Sequence, residues 1–593
     1  MKRYKIVFLL IASIAIFSSC NKDFLERYPL DRISEAEFFK TPVDLETYMN
    51  RFYCLNSFPN QWTAVTWPST DDVPERLRNY PGGNDDFNSD LQLLGDNVHS
   101  ILNGDKTINS SSWNWGLIRE INYFFDQYRR CPVPENLTDL AQYRQTVGEA
   151  HFFRALYYFR LLKSNGDVPW YSTVLGTNSP ELYAPRTPRH VVADSIIADL
   201  DKSAEFLQVA KTNGNNRINK WVALLYQSRI ALYEGCWQKY HADTDFAASV
   251  SNPQKYFNKA VEAAQAVMNS ELYSIYSTGN PENDYYALFS TIRDYSGNSE
   301  VLFWTQFNVS DGFSNNKNFQ MRFPRQRCIT RRLADAYLCT DGDPISVSSL
   351  FQGYDDLTKE STDRDPRFKQ TIFTPDAPWQ TDASNNVTNW QNCYVVINTG
   401  GSDDRSPTGY HQRKRYDTRD EFLNSNFENS PMIQFRYAEA LLNYAEAKAE
   451  LGTLTQADVN ISINLLRDRV GMPNLTIANI TTDSNWSFPS LSPVINEIRR
   501  ERLVELACEG YRWDDIMRWA AAGELIVGKR PLGTKSAQYG NRIFPDTDGF
   551  YDPLKNALPD GYGFKLNRDY LDPIPPTEIV RNPNLTQNPG WTM

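Results

Sequence analysis

Residues 148–162, GEAHFFRALYYFRLL, restrict the fold more than any other stretch of the chain. Phe152, Ala155, Leu156, Phe159 and Leu162 recur at steps of three and four, which makes one apolar face of a helix, and Asn165-Gly166-Asp167-Val168-Pro169 ends it. The same rhythm predicts helices over 189–207, 218–234 and 253–269. The third carries Trp221, Leu224, Leu225, Ser228 and Ala231 on one side, and the fourth carries Ala260, Ala263, Ala264 and Val267. Small residues on one face and large ones beside them suit closely stacked helix pairs of the tetratricopeptide kind, although no strict repeat period of about 34 residues is present. The fold class expected is therefore mostly α, a tetratricopeptide-like helix-pair scaffold.

Between 271 and 430 the helical rhythm fails. YYALF, EVLFWTQF, the turn-like Asp341-Gly342-Asp343-Pro344 and DRDPRF at 363–368 read as an inserted loop-rich lobe with short strands. Helices resume with PMIQFRYAEALLNYAEAKAELG, in which Tyr437, Leu441 and Tyr444 keep the three-four spacing and Ala438, Ala445 and Ala449 permit close approach. Two more are expected at 456–470 and 492–509. The tail LDPIPPTEIVRNPNLTQNPGW is too rich in Pro and Asn for a helix and is expected to lie on the body as an extended strap. The body, 20–593, thus reads as one unit: scaffold at about 30–270 and 431–520, lobe at about 271–430 and strap at about 565–593.

The first residues fix the compartment. Lys2, Arg3 and Lys5 precede an apolar run, Ile6 to Phe17, too short to span a bilayer as a stable helix, and Ser18-Ser19 then leads to Cys20. Residues 1–19 read as a secretory signal whose cleavage leaves Cys20 at the new N-terminus, free to carry acyl chains that hold the protein on a membrane. The stretch resembles a bacterial lipoprotein signal, with Phe17 where Leu is commoner. Asn21-Lys22-Asp23 resembles the short charged tag that sends some Gram-negative lipoproteins to the cell surface.

Charge and composition exclude several functions. With 61 basic and 72 acidic residues the formal net charge is −11, and no basic stripe exists to displace the counterions of a nucleic acid. Five histidines in no HExxH arrangement and cysteines at no metal-type spacing argue against a zinc enzyme. A surface glycosidase needs two carboxylates at a set separation, one held protonated, and no signature picks out such a pair. Fourteen tryptophans are enough both for core packing and for stacking on the apolar faces of sugar rings. Several of them lie in the Gly-, Asn-, Asp- and Ser-rich stretch 55–115, the composition of irregular loops that carry recognition residues.

Blocks along the chain resemble the SusD/RagB-like outer-membrane nutrient-binding lipoproteins. They are the opening FLERYPLDRISEAEFFK, in which Ser34 and Glu37 read as a helix-capping pair, GEAHFFRALYYFRLLKSNGDVPW, DRDPRF, FRYAEALLNYAEAKAELG, IRRERLVELACEGYRWDDIMRW and the closing Asp-Pro-Ile-Pro strap. Cys508 stands where an aromatic residue is usual. Physically these blocks are structural: Glu497 with Arg500, and Arg502 with Glu505, are spaced to pair along one helix flank, and Gly510 suits the helix's C-terminal turn.

The resemblance implies a non-catalytic lipoprotein of the outer membrane, facing the cell exterior, that captures an oligo- or polysaccharide and acts as a lid on a SusC-like TonB-dependent transporter; a peptide or another nutrient is the alternative ligand on the same fold. It further implies a ligand face built from loops of the first third and from the lobe, which makes Trp67, Asp71, Asp72, Trp113, Trp115 and Trp304 candidates. Tryptophans would stack on pyranose faces, and the carboxylates with Arg76 or Arg78 would bond hydroxyls. Separately, Asp546-Thr547-Asp548-Gly549 followed by Asp552 places three carboxylates round a glycine, the composition of a loop that wraps Ca2+ and equally of an acidic turn. No other cofactor is expected.

Overall fold

The structure is a computed structural model that describes residues 38–53 and 113–592, apart from 212–215, 312, 316, 323–328, 391–407, 424–427, 536–545, 553–554 and 556–558. The signal, Cys20 and the pair Ser34 and Glu37 lie outside the described residues. Six helices form the first part of the scaffold: α1 (Pro42–Met49), α2 (Gly116–Gln127), α3 (Leu137–Asn165), α4 (Arg189–Phe206), α5 (Lys220–Tyr240) and α6 (Pro253–Met268). Their starts follow from local chemistry. Thr41 and Asp44 form a reciprocal capping box across the first turn that Pro42 opens, Asn136 and Asn219 accept from backbone N–H groups of the first turns of α3 and α5, and Asn252 precedes Pro253. α3 ends at Gly166, whose φ of 72° reverses the chain as its N–H closes on the Leu162 carbonyl.

Consecutive helices pack on each other, α3 on α4, α4 on α5 and α5 on α6, with α1 and α2 on the far side of α3. This layering explains a difference from the expected single apolar face of α3. Phe153, Tyr157, Tyr158 and Leu161 are buried along with the predicted five residues, because the helix is covered from two sides. Close approach is built in at Gly235 of α5. A Cβ there would lie 2.7 Å from the Phe257 ring of α6, so only glycine fits.

The lobe leaves and rejoins the scaffold through one antiparallel pair, β1 (Val301–Thr305) with β4 (Met432–Arg436), in which Trp304 faces Ile433. Residues 432–436, expected as the start of a helix, are thus a strand. Met432-Ile433-Gln434-Phe435 supplies β-prone residues that close the base of the lobe before α7 (Tyr437–Glu450) begins. A small hairpin, β2 (Pro378–Thr381) with β3 (Val387–Asn389), lies within the lobe. Phe368, Phe373, Trp379, Tyr410 and Tyr416 form the lobe's core, which Val504, Ala507 and Cys508 join from the end of α8 (Pro493–Glu505). The expected helix at 456–470 is broken into Gln456–Asn460 and Ile463–Arg469. α9 (Arg512–Arg518) follows α8, and α10 (Pro576–Arg581), a six-residue helix, interrupts the strap that had been expected to be wholly extended.

The charges of α8 are buried between lobe and scaffold. Glu505 accepts from Arg469 at 2.6 Å, Arg436 at 2.7 Å and Arg367 of the lobe at 3.0 Å, and Arg436 also reaches Glu300 at 2.8 Å. Burial alone would raise the Glu505 carboxyl, but Arg469, Arg436 and Arg367 outweigh it and hold the group well below the usual carboxylate range. The expected Glu497–Arg500 pair is present at 3.4 Å. Arg502, however, pairs with Asp515 of α9 at 2.8 Å and not with Glu505. The flank carrying these residues faces other elements, so tertiary partners replace local ones. No helix among the described residues is long and apolar enough to cross a membrane.

Candidate functional site: an aromatic corner beside the strap

Trp113 and Trp115 stand at the entrance to α2, half-buried, with their rings edge to face at 5.4 Å. Asn114 between them accepts from the Gly116 N–H at 2.9 Å and so fixes the turn into the helix. Trp115 also packs on Tyr171 at 5.1 Å. Tyr171 follows the α3 exit and is held from three directions: its N–H donates to Tyr158 Oη at 2.6 Å, while its carbonyl accepts from that hydroxyl and from Asn122 Nδ2, each at 2.9 Å. Trp170 stacks on Tyr158 at 3.9 Å from the other side.

The opposite wall is Leu182 and Tyr183, which end a short 3-10 turn over Pro180–Tyr183. The strap pins this turn: Asn582 Nδ2 donates to the carbonyls of Leu182 (3.1 Å) and Ala184 (2.9 Å), and Asn584 Nδ2 donates to that of Tyr183 (2.7 Å). Together these segments enclose about 470 Å³. The lining is mainly apolar and aromatic, and its charged groups among the described residues are Arg119, whose Nη1 donates to the Leu175 carbonyl at 2.5 Å, and the Glu578–Arg581 pair at 2.6 Å. Tyr183 is 54% exposed and Arg581 still more so, which leaves an aromatic face and a guanidinium open to solvent. Such a cavity can stack rings and bond hydroxyls at its mouth. Glu578 is its one carboxylate among the described residues, so it lacks the acid pair of a glycosidase.

Of the residues singled out from sequence, Trp113 and Trp115 therefore share one site. Trp304 does not join them. It lies in β1, is 6% exposed, packs near Tyr295 and donates from Nε1 to Gln306 at 3.1 Å, so it is a core residue with no face for a sugar. Trp67, Asp71, Asp72, Arg76 and Arg78 lie outside the described residues. Tyr171, Tyr183, Arg119, Glu578 and Arg581 were missed. Trp170 and Tyr171 follow directly on the helix-ending Asn165–Pro169 segment, and this aromatic pair is a signal the sequence carries for the site.

The acidic loop near 550 does not gather its carboxylates. Asp546 Oδ1 accepts from the N–H groups of Asp548 and Phe550 and so closes its own turn, whereas Asp552 is buried and paired with Arg530 at 2.8 Å. Cys236, Glu446 and Glu450 do converge. Their donors are already engaged, because Arg518 reaches both Glu446 oxygens and the Cys236 sulfur, and Lys239 and Tyr240 bond Glu450. Burial pushes the Cys236 thiol up, away from the thiolate a metal would need. The cluster is a structural ion network.

Comparison with known proteins places this architecture. Residues 40–232 match the family model described as "Starch-binding associating with outer membrane". Among curated proteins, SusD-like protein P2 of Formosa agariphila is 25% identical over the whole of both chains, and SusD-like protein P38 of the same organism is 21% identical over 89% of this chain and 94% of its own. Among solved structures, a SusD-like protein of Bacteroides fragilis superposes with a TM-score of 0.66 at 22% identity, covering 95% of this chain and all of the other. A SusD-like carbohydrate-binding protein of the same species gives 0.67 at 21% identity, covering 93% of this chain and all of its own. The SusD family model matches residues 294–591, half of the sequence, and with the fold and the full-length relatives it establishes that the chain belongs to the SusD family.

Proposed function

We propose that this protein is a non-catalytic carbohydrate-binding component of an outer-membrane import system, anchored through Cys20, that takes up a glycan and passes it to a SusC-like TonB-dependent transporter. Membership of the SusD family supports the import role, as does the description of the N-terminal family model as starch-binding and associated with the outer membrane. The observation that carries the ligand class is the aromatic corner: two tryptophans and two tyrosines around about 470 Å³, with Arg119 and Arg581 at its polar edge. Aromatic rings bind the C–H faces of a sugar, and guanidinium groups donate to pairs of hydroxyls. A lid tethered to its channel works with modest affinity, because proximity raises the local concentration of what it holds.

The test is affinity electrophoresis of residues 21–593 through gels containing neutral and acidic polysaccharides, with Trp113→Ala, Trp115→Ala and Tyr183→Ala proteins alongside. At least one polysaccharide should retard the native protein, and Tyr183→Ala, whose exposed ring supports little of the fold, should bind about 3–10-fold more weakly. Retention of short peptides and of no glycan would overturn the sugar assignment while leaving the import role standing.

A further inference from the structure

A second cavity, of about 510 Å³, lies where the lobe meets the scaffold, between the helix Arg331–Ala336, one side of α8 and the segment 524–532. In a chain with a net charge of −11, its walls carry seven arginine and lysine side chains against three carboxylates. Internal ion pairs account for part of this excess. Arg331 pairs with Asp335 at 3.0 Å, Arg500 with Asp483 at 2.5 Å, and Arg530 with Asp552 at 2.8 Å. Arg499 is packed on the Trp519 ring at 4.1 Å and lies 3.6 Å from Glu450.

Of the cations left, Arg332 and Lys529 are not neutralised from within. Arg332 donates only to the Leu525 carbonyl, at 3.4 Å, and neither it nor Lys529 forms an ion pair among the described residues. Burial pushes the Arg332 guanidinium down to about 10, and Asp335, engaged by Arg331, offsets this only in part. Arg500 has a side chain 9% exposed, and its Nη1 is buried with no hydrogen-bond partner among the described residues, while its Nη2 holds Asp483 and lies 3.4 Å from Glu497. A buried guanidinium N–H without a partner costs free energy that an incoming acceptor recovers. Guanidinium groups are also weakly hydrated and forked, so they match the paired oxygens of a sulfate or carboxylate.

We propose that this cavity is an oxyanion-binding site that takes a sulfate or carboxylate group, free or borne on a saccharide, with Arg332 and Arg500 Nη1 as its inner donors and Lys529 at its rim. It is separate from the aromatic corner and does not depend on the glycan assignment made there.

The experiment is isothermal titration of the 21–593 protein with sodium sulfate, with sulfated and uronate-bearing oligosaccharides and with their neutral counterparts, at fixed ionic strength. The Arg332→Gln and Lys529→Ala proteins are run in parallel, each checked by thermal melting. Saturable binding of sulfate, of an acidic saccharide or of both is expected. Arg332→Gln should weaken it roughly tenfold or more, the usual worth of a hydrogen bond to a charged group, and Lys529→Ala should weaken it less. Sulfate that competes with the acidic saccharide identifies the charged group as what is recognised, and binding of sulfate alone identifies the free ion. Should Arg332→Gln not fold, the exposed Lys529→Ala, together with a weakening of binding as sodium chloride is raised, remains the test. Absence of saturable binding by every anion, or binding by a folded Arg332→Gln protein equal to that of the native chain, overturns the proposal.

Discussion

Glu360 sits inside the lobe, fully buried, accepting from Tyr410 Oη at 2.6 Å with one of its two oxygens. Burial pushes its carboxyl up to about 7, and the Tyr410 bond opposes that only in part. In the unfolded chain the same group ionises near 4.5. Below that value both states hold the proton and the group costs nothing. As pH rises towards 7 the unfolded chain loses a proton that the folded one keeps, so stability falls by about 3 kcal/mol in total. Urea denaturation at about pH 5 and about pH 8 should therefore show Glu360→Gln gaining on the native protein by up to ~3 kcal/mol between the two. A difference that stays constant with pH would contradict this. Nothing in the string of residues near 360 signals the burial, since Leu357-Thr358-Lys359-Glu360 reads as an ordinary surface turn of helix. The tryptophans teach the same lesson: Trp113 and Trp304 look alike in sequence, but one lines a cavity and the other fills the core.

Among the elements, helices were the legible part, because α3 to α6 depend on a local period and local caps. The sequence of β4 predicts a helix because its apolar residues run straight into α7, and only pairing with β1, more than a hundred residues earlier in sequence, makes it a strand. The Pro- and Asn-rich tail predicts an extended strap, whereas the short helix α10 within it and its place as a wall of the aromatic corner have no local signal. Asn588 ties it down: Nδ2 donates to the carbonyls of Asn165 (3.0 Å) and Asp572 (2.6 Å), and Oδ1 accepts from Arg186 at 2.5 Å. Asn588→Ala should cost about 2–3 kcal/mol locally, as these buried donors and acceptors are left unpaired. Timed proteolysis read by mass spectrometry would then find cleavage after residue 565 faster than in the native chain; equal protection would show that the strap is held by its apolar contacts instead.

Across the whole molecule, Glu505 is where lobe and scaffold meet. It joins Arg367 of the lobe to Arg436 at the end of β4 and Arg469 of the scaffold, all buried. Glu505→Gln would leave three guanidinium groups short of a charge, at a cost of about 3–5 kcal/mol, and should turn one cooperative thermal transition into a broader or split one. An unchanged calorimetric profile would mean that packing alone couples the two parts. What the sequence by itself determined was the helical scaffold, the interrupting lobe and the family, because periodicity, caps and turn residues act within a few positions of one another. Which tryptophans face a cavity, which arginine finds which carboxylate and where cations collect were decided only by tertiary structure. Those outcomes depend on burial and on partners often more than a hundred residues away, and no local pattern encodes them.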